Sequence, residues 1–154
     1  MIATGWSKCV LEINNQRIEL HASYLSDALG DLSLAIYNII SGEDYAKAIF
    51  TKEPGEYRWV LQRINDRIIN LKIIKYHDYC LNLPDEDGIL VFEARINLLE
   101  FVNAFLEGVE KTIDKYGIKG YKEIWDLYDF PLETIEKIKE SGSKKEVMEN
   151  RGQE

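Results

Sequence analysis

Residues 52–59 read KEPGEYRW, in which a Pro54-Gly55 pair lies between two glutamates and leads into tyrosine, arginine and tryptophan. Proline holds φ at about −65° and glycine accepts the positive φ that follows, so the pair suits the centre of a type II turn. Polar and apolar residues alternate on both sides of it, as is typical of half-buried strands. The stretch therefore predicts an antiparallel hairpin that turns at Pro54-Gly55.

The same period of two recurs in four other runs of the chain. It is present in residues 8–13 and 17–22, which are separated by NNQ, and again in 69–73 and 89–96. Together with the two strands of the quoted hairpin, these runs predict six strands.

Helical periodicity appears first in residues 24–41. Ser23 is the predicted N-cap of this helix and Gly42 its predicted stop. Gly30 lies inside it, where glycine costs about 1 kcal/mol relative to alanine. Its presence predicts the close approach of another backbone.

The C-terminal part of the sequence is helical in pattern. Asn97 precedes a long apolar stripe, with Glu100 in the position of a capping box, and Gly117 is the predicted end of that helix. Two shorter amphipathic segments follow, at 121–128 and 131–138.

The predicted element order is β-β-α-β-β-β-β-α-α-α. Because no long crossover helix separates single strands, this order favours an α+β fold with a mostly antiparallel six-stranded sheet and helices packed on one face. Residues 1–140 are predicted to form one domain. The polar residues 141–154 are predicted to be a disordered tail.

The charge balance restricts the partners. The chain has 19 Lys and Arg against 27 Asp and Glu, a net charge of −8. This acidity argues against binding to nucleic acids or anionic membranes and suits a basic protein partner. The N-terminus lacks a signal-peptide pattern and no apolar run approaches the roughly 20 residues of a membrane span, so we expect a cytoplasmic protein.

Few residues offer catalytic chemistry. The sequence HDYC at 77–80 places His77 near Cys80, and this pair would activate the thiol only if the imidazole reached the sulfur. The alternative is that Cys80 packs while His77 is solvated. Motifs of zinc proteases, serine hydrolases, dithiol enzymes and nucleotide-binding proteins are missing.

Metal binding is not indicated either. Cys9 and Cys80 lie too far apart in the sequence to predict a zinc site or a disulfide framework. PDEDG at 84–88 is interpreted as an acidic turn rather than a calcium loop, because a strand follows its glycine. Asp27 and Asp31 lie four residues apart on the first predicted helix, where a position near the helix N-terminus already explains Asp27. We predict no bound metal and no cofactor.

The quoted stretch has two interpretations. In the first, Tyr57 and Trp59 belong to the core and Arg58 lies on an exposed charged face, close enough in sequence to pair with Glu53 or Glu56. In the second, Glu53, Glu56, Tyr57, Arg58 and Trp59 form the edge of a recognition surface.

Three stretches carry a resemblance to known proteins: SDALGDL at 26–32, EPGEYRW at 53–59 and YKEIWDLYDFP at 121–131. In these the chain resembles a bacterial family of small α+β proteins and is similar in character to immunity proteins that neutralise polymorphic toxins. The resemblance implies a non-enzymatic cytoplasmic protein and transfers no catalytic residue.

Two functions remain as hypotheses. The first is a non-catalytic protein-binding module, of the immunity type, that acts by stoichiometric binding. The second is a small enzyme or small-molecule binder with a pocket between sheet and helices, lined by Tyr57, Arg58, Trp59 and His77, with Cys80 nearby.

Overall fold

The computed structural model describes residues 6–23, 27–52, 54–78, 83–124 and 129–152. Its elements follow the predicted order: β1 (Trp6–Ile13), β2 (Gln16–Ser23), α1 (Ala28–Ile40), β3 (Tyr45–Thr51), β4 (Glu56–Arg63), β5 (Ile68–Tyr76), a short 3-10 helix (Asp85–Asp87), β6 (Ile89–Asn97), α2 (Leu98–Ile124) and α3 (Leu132–Arg151). No helix in these ranges is both long and apolar enough to cross a membrane.

The strands form two antiparallel sheets, so the prediction of one six-stranded sheet is wrong. β1 and β2 make a separate hairpin, and the larger sheet has the order β3-β4-β5-β6. Alternation shows that one face of a strand is buried, but it does not specify the neighbour with which the strand forms hydrogen bonds. The α+β class and the antiparallel pairing are confirmed.

The two hairpin turns are set by local sequence. Asn14 and Asn15 both have positive φ, 52° and 66°, as a two-residue turn with the twist of a hairpin requires. Pro54-Gly55 joins β3 to β4, whose register brings Thr51 opposite Glu56. Gly55 has a φ of 96°, so the predicted turn at this pair is confirmed.

The ends of α1 are capped by residues adjacent to it. The Asp27 carboxylate accepts a hydrogen bond from the Gly30 N–H at 3.0 Å, so the N-cap is Asp27 and the prediction of Ser23 is wrong. A Cβ on Gly30 would lie 2.0 Å from an Asp27 oxygen. The close approach at Gly30 is therefore that of a capping side chain, where we predicted another backbone.

The C-terminus of α1 ends as predicted. Gly42 has a φ of 115°, and its N–H and that of Glu43 donate to the carbonyls of Ile39 and Asn38. These two bonds are the Schellman arrangement, which satisfies carbonyls at the end of a helix.

The later helices differ from the prediction mainly in length. Asn97 caps α2 as predicted, by accepting from the Glu100 N–H at 3.1 Å. Gly117, the predicted end of the helix, interrupts it with a φ of 68°, and helical structure resumes and continues to Ile124. The structure differs at the C-terminus, where α3 continues through the predicted tail to Arg151. Lys-Glu pairs at i,i+4, such as Lys144 with Glu140 at 3.2 Å, favour the continued helix.

The main core lies between one face of the four-stranded sheet and the helices. We call this face the inner face and the opposite one the outer face. The buried cluster contains residues of every strand of this sheet together with residues of β2, α1, α2 and α3, among them Leu20, Ile36, Trp59, Leu71, Phe92, Phe101 and Ile138. Each strand places alternate residues in it, as period two requires.

Candidate functional site

Strand β4 carries the predicted site residues on opposite faces of the sheet. Tyr57 and Trp59 lie on the inner face, where Trp59 is 1% exposed and its ring lies 5.2 Å from that of Phe50. Glu56 and Arg58 lie on the outer face. Arg58 is only 4% exposed, which differs from the charged, solvated face that we expected. Glu53 lies outside the described residues.

Arg58 is buried because residues 83–88 fold over the outer face. Its Nη1 donates to the Leu83 carbonyl at 2.7 Å and to Asp85 Oδ1 at 2.9 Å. Its guanidinium carbon lies 4.6 Å from the centroid of the Tyr76 ring. Glu56 Oε2 lies 3.6 Å from Arg58 Nε, so the predicted pairing with Glu56 is confirmed. These contacts attach the β5–β6 connection to β4 and β5.

Asp85 extends the attachment to β3. Its Oδ2 accepts from the Tyr45 hydroxyl at 3.1 Å, and its Oδ1 lies 3.6 Å from Lys47 Nζ. Burial opposes ionisation of this carboxyl, but the hydrogen bonds from Arg58 and Tyr45 outweigh it, so the pKa of Asp85 lies below its usual value. We call Tyr45, Lys47, Glu56, Arg58, Tyr76 and Asp85 the Arg58 cluster.

Two glycines allow close approaches beside this cluster, Gly88 in the connection and Gly55 in the β3–β4 turn. A Cβ on Gly88 would lie 2.2 Å from Ile74 Cγ2, and one on Gly55 would lie 2.2 Å from the Tyr76 carbonyl oxygen. Tyr76 also donates its hydroxyl to the Pro84 carbonyl at 2.7 Å. The Arg58 cluster thus holds residues 83–88 against the outer face of the sheet.

Exposed apolar side chains surround this cluster. Leu90 shares a cross-strand row with Ile74, Arg58 and Ile49, according to the register of β3 to β6. Four side chains, which we call the outer apolar surface, are between 36% and 53% exposed: Ile49, Leu83, Leu90 and Val91. In the part of the chain that the structure describes, β6 pairs with β5 alone and is the edge of the sheet.

The structure does not show whether His77 and Cys80 lie close together. His77 is exposed just after β5, and Cys80 lies outside the described residues. Within those residues, no group of three or more His, Cys, Asp or Glu side chains is arranged to hold a metal ion.

A cavity of about 640 Å³ lies on the inner side of the sheet, between β1, α1, α2 and β4. The predicted pocket between sheet and helices thus has a counterpart, but of its predicted lining only Trp59 is among the described residues that border it. Most of the lining is apolar and includes Leu11, Ile13, Leu32, Phe50, Phe101 and Phe105.

Two residues that line the cavity carry polar groups with unusual surroundings. Trp59 Nε1 is buried and finds no hydrogen-bond acceptor within the described ranges. An unsatisfied buried donor costs about 1–3 kcal/mol. Burial also raises the pKa of the Cys9 thiol to about 11, so this free cysteine is neutral near pH 7.

Sequence reasoning missed Asp85 and the extent of the cavity. Asp85 was one acidic residue of a turn, and nothing local distinguishes it from Glu86 and Asp87. Its partner Arg58 precedes it by 27 residues. The cavity combines β1 with α2, which are separated by most of the chain, so no spacing within the sequence signals it.

Comparison with known protein families, with curated proteins and with solved structures gives no match to this chain.

Proposed function

We propose that this chain is a non-catalytic protein-binding module that acts in the cytoplasm by stoichiometric binding, as an immunity-type protein does when it neutralises a toxin. The observation that carries the proposal is the outer apolar surface beside β6, which is the edge strand among the described residues. Leu90 and Val91, at the irregular position in the pairing of β6 with β5, are 53% and 37% exposed. Contiguous exposed apolar residues on a sheet edge are a common feature of protein interaction sites.

The surroundings of this surface favour a basic partner. Glu86 and Asp87 are exposed in the 3-10 helix between Leu83 and Ile89. The net charge of the chain is −8. The acidic 3-10 helix beside the apolar residues suits a partner that has basic groups next to an apolar centre, and charge complementarity of this kind mainly accelerates association.

The Arg58 cluster supports the same proposal because it fixes the backbone beside the surface. Leu83 and Asp85 are held directly by Arg58, and Gly88 lies against Ile74 and Tyr76. A surface that is ordered before binding loses less conformational entropy in the complex. In this proposal Glu56 and Arg58 hold in place the backbone that carries part of the outer apolar surface. Tyr57 and Trp59 pack on the inner face.

Site-directed photo-crosslinking in the native host tests the proposal. A photoreactive phenylalanine analogue replaces Leu90 in one variant and Met148 in a control variant. Met148 is 71% exposed on α3, far along the chain from β6, so the control presents a probe that is at least as accessible on another element. We expect one protein to be captured from the Leu90 position and to be absent from the Met148 position.

The captured protein is then purified and titrated against the unmodified chain. Saturation at one partner per chain supports the proposal. Equal capture from both positions, or a captured protein that shows no saturable binding after purification, would contradict it.

A further inference from the structure

The hydrogen bonds of β5 show which main-chain groups of β6 point away from the sheet. The Leu98 N–H donates to the Arg67 carbonyl at 2.8 Å, so these two residues form a hydrogen-bonded pair at the end of the β5–β6 ladder. Such pairs alternate along an antiparallel ladder, so the N–H and C=O of Ala94 also point toward β5. Those of Glu93 and Arg95 point the opposite way, where no strand of the described residues lies.

The side chains of these two residues carry opposite charges on the outer face. Both are exposed. Glu93 Oε2 lies 4.0 Å from Lys72 Nζ on β5. The residue opposite Arg95 on β5 is Asn70, which is uncharged. The strand at this edge therefore presents a glutamate and an arginine two positions apart, with the outward main-chain groups on the same two residues.

A two-fold axis at Ala94 makes this edge complementary to itself. When two antiparallel copies of β6 pair with Ala94 opposite Ala94, Glu93 of each copy lies opposite Arg95 of the other. Both residues direct their main-chain groups outward, so each of these two pairs forms a hydrogen-bonded pair of the ladder. An axis at Glu93 or at Arg95 would place like charges directly opposite each other, which is unfavourable.

The inner face suits the same register. Two alanines meet at the axis, in a non-hydrogen-bonded pair whose Cα atoms lie about 4.5 Å apart, where small side chains fit. Phe92 of each copy lies opposite Ile96 of the other. Ile96 is only half-buried in the single chain, so this contact removes apolar surface from water. The dimer thus gains apolar contacts on one face and ion pairs on the other.

We propose that the edge of β6 binds a second copy of this chain, in the antiparallel register centred on Ala94. The two copies then share a continuous sheet of eight strands, four from each copy. Because the axis is perpendicular to the sheet, the two outer apolar surfaces face the same side. The inference concerns the main-chain edge and does not depend on the partner proposed for the outer apolar surface.

Sedimentation equilibrium of the full chain tests the dimer. We expect a reversible monomer–dimer equilibrium with a dissociation constant of about 1–100 µM, since one pair of short strands makes an interface at the low end of the usual sizes. The dimer should weaken as salt rises, because its ion pairs are exposed. A chain that stays monomeric at about 1 mM would overturn the proposal.

Charge reversal tests the register. Glu93→Arg and Arg95→Glu should each weaken self-association at least about 10-fold, because the two-fold axis repeats every substitution at two places. The two variants mixed in equal amounts should form a heterodimer of nearly wild-type affinity, because opposite charges face each other again at both places. Glu110→Arg, at an exposed position on α2, changes the net charge as Glu93→Arg does and should dimerise like the wild type. Single variants that dimerise normally, or a mixture that does not associate, would overturn the register.

Amide hydrogen exchange locates the contact. The N–H groups of Glu93 and Arg95 should exchange rapidly in dilute solution and become protected above the dissociation constant, whereas that of Ala94 should be protected throughout. Protection of Glu93 and Arg95 that does not change with concentration would contradict the proposal. A monomeric chain in which these amides become protected only with the protein captured at Leu90 would assign the edge to that protein and overturn the assignment to a second copy.

Discussion

The two faces of strand β4 are both buried, but by different means. On the inner face, Trp59 and Leu61 are covered by helices and apolar packing. On the outer face, Arg58 is covered by residues 83–88 and held by Asp85, Leu83 and Tyr76. Burial of the inner face follows from the local period of two. Burial of the outer face depends on contacts between Arg58 and the β5–β6 connection, which lies far from Arg58 in the sequence.

This difference has an energetic consequence. Apolar packing is distributed over many contacts and is lost in proportion to the volume removed. A buried guanidinium depends on a few directional contacts, and removing one partner leaves a charge that water cannot fully solvate. We therefore expect the two faces to respond differently to substitution.

The largest effect is expected on the inner face. Leu71 is 0% exposed in the centre of β5, so Leu71→Ala should lower the free energy of unfolding by about 2–5 kcal/mol. Leu90→Ala, on the exposed edge strand, should change it by less than about 0.5 kcal/mol. Urea denaturation measures both, and similar losses would contradict the assigned core.

The next largest effect is expected at Asp85. Asp85→Ala should lower the free energy of unfolding by about 1–3 kcal/mol, less than the loss at a fully buried ion pair because its side chain is 31% exposed. Asp87→Ala, in the same 3-10 helix, is the control and should be nearly neutral.

A double-mutant cycle sharpens this prediction. In the background of Arg58→Met, Asp85→Ala should cost less than in the wild type, because the buried charge that needs Asp85 has been removed. Equal costs in the two backgrounds would show that Asp85 acts independently of Arg58.

The third prediction separates the cost of a positive φ from the cost of a steric clash at the added Cβ. Gly55 and Gly42 both have positive φ, but only Gly55 lies against another strand. Gly55→Ala should destabilise the fold by about 1–3 kcal/mol, and Gly42→Ala by about 1 kcal/mol. Thermal unfolding of the two variants measures the difference, and its absence would argue against the close approach of Tyr76.

The smallest effect concerns pH. The pKa of Asp85 is lower in the folded state than in the unfolded chain, so its contribution to stability is complete above the unfolded value of about 4 and is lost as the pH falls through the folded value. The loss should be smaller than that of Asp85→Ala, since a protonated carboxyl still accepts hydrogen bonds. Asp85→Asn should flatten the decline in stability below about pH 4, which urea denaturation at a series of pH values measures.

Much of the fold follows from local patterns in the sequence. The Pro54-Gly55 turn, the Asn97 cap and the stop at Gly42 each depend on residues within a few positions, and all three are confirmed. Gly117 breaks α2 where its end was predicted, but the helix continues beyond it. The N-cap of α1 was misplaced because Ser23 and Asp27 both suit a cap, and the hydrogen bond to Gly30 decides between them.

The arrangement of the sheets and the candidate sites depends on distant residues. Period two placed Trp59 and Arg58 on opposite faces, but it does not show that β2 lies beside the larger sheet without joining it. The partner of Arg58 lies 27 residues away, and the cavity joins β1 to α2. Such contacts form only when the whole core assembles, so a local window does not contain them.

The measurement that tests the functional proposal most directly is a calorimetric titration of the protein captured at Leu90. The wild-type chain should bind it at one to one, with an affinity that falls as salt rises because exposed charges are screened over about 8–10 Å at physiological ionic strength. Leu90→Lys should weaken binding at least 10-fold, and Met148→Lys should leave it unchanged. Equal affinities of the two variants would contradict the proposal that the outer apolar surface is the interface.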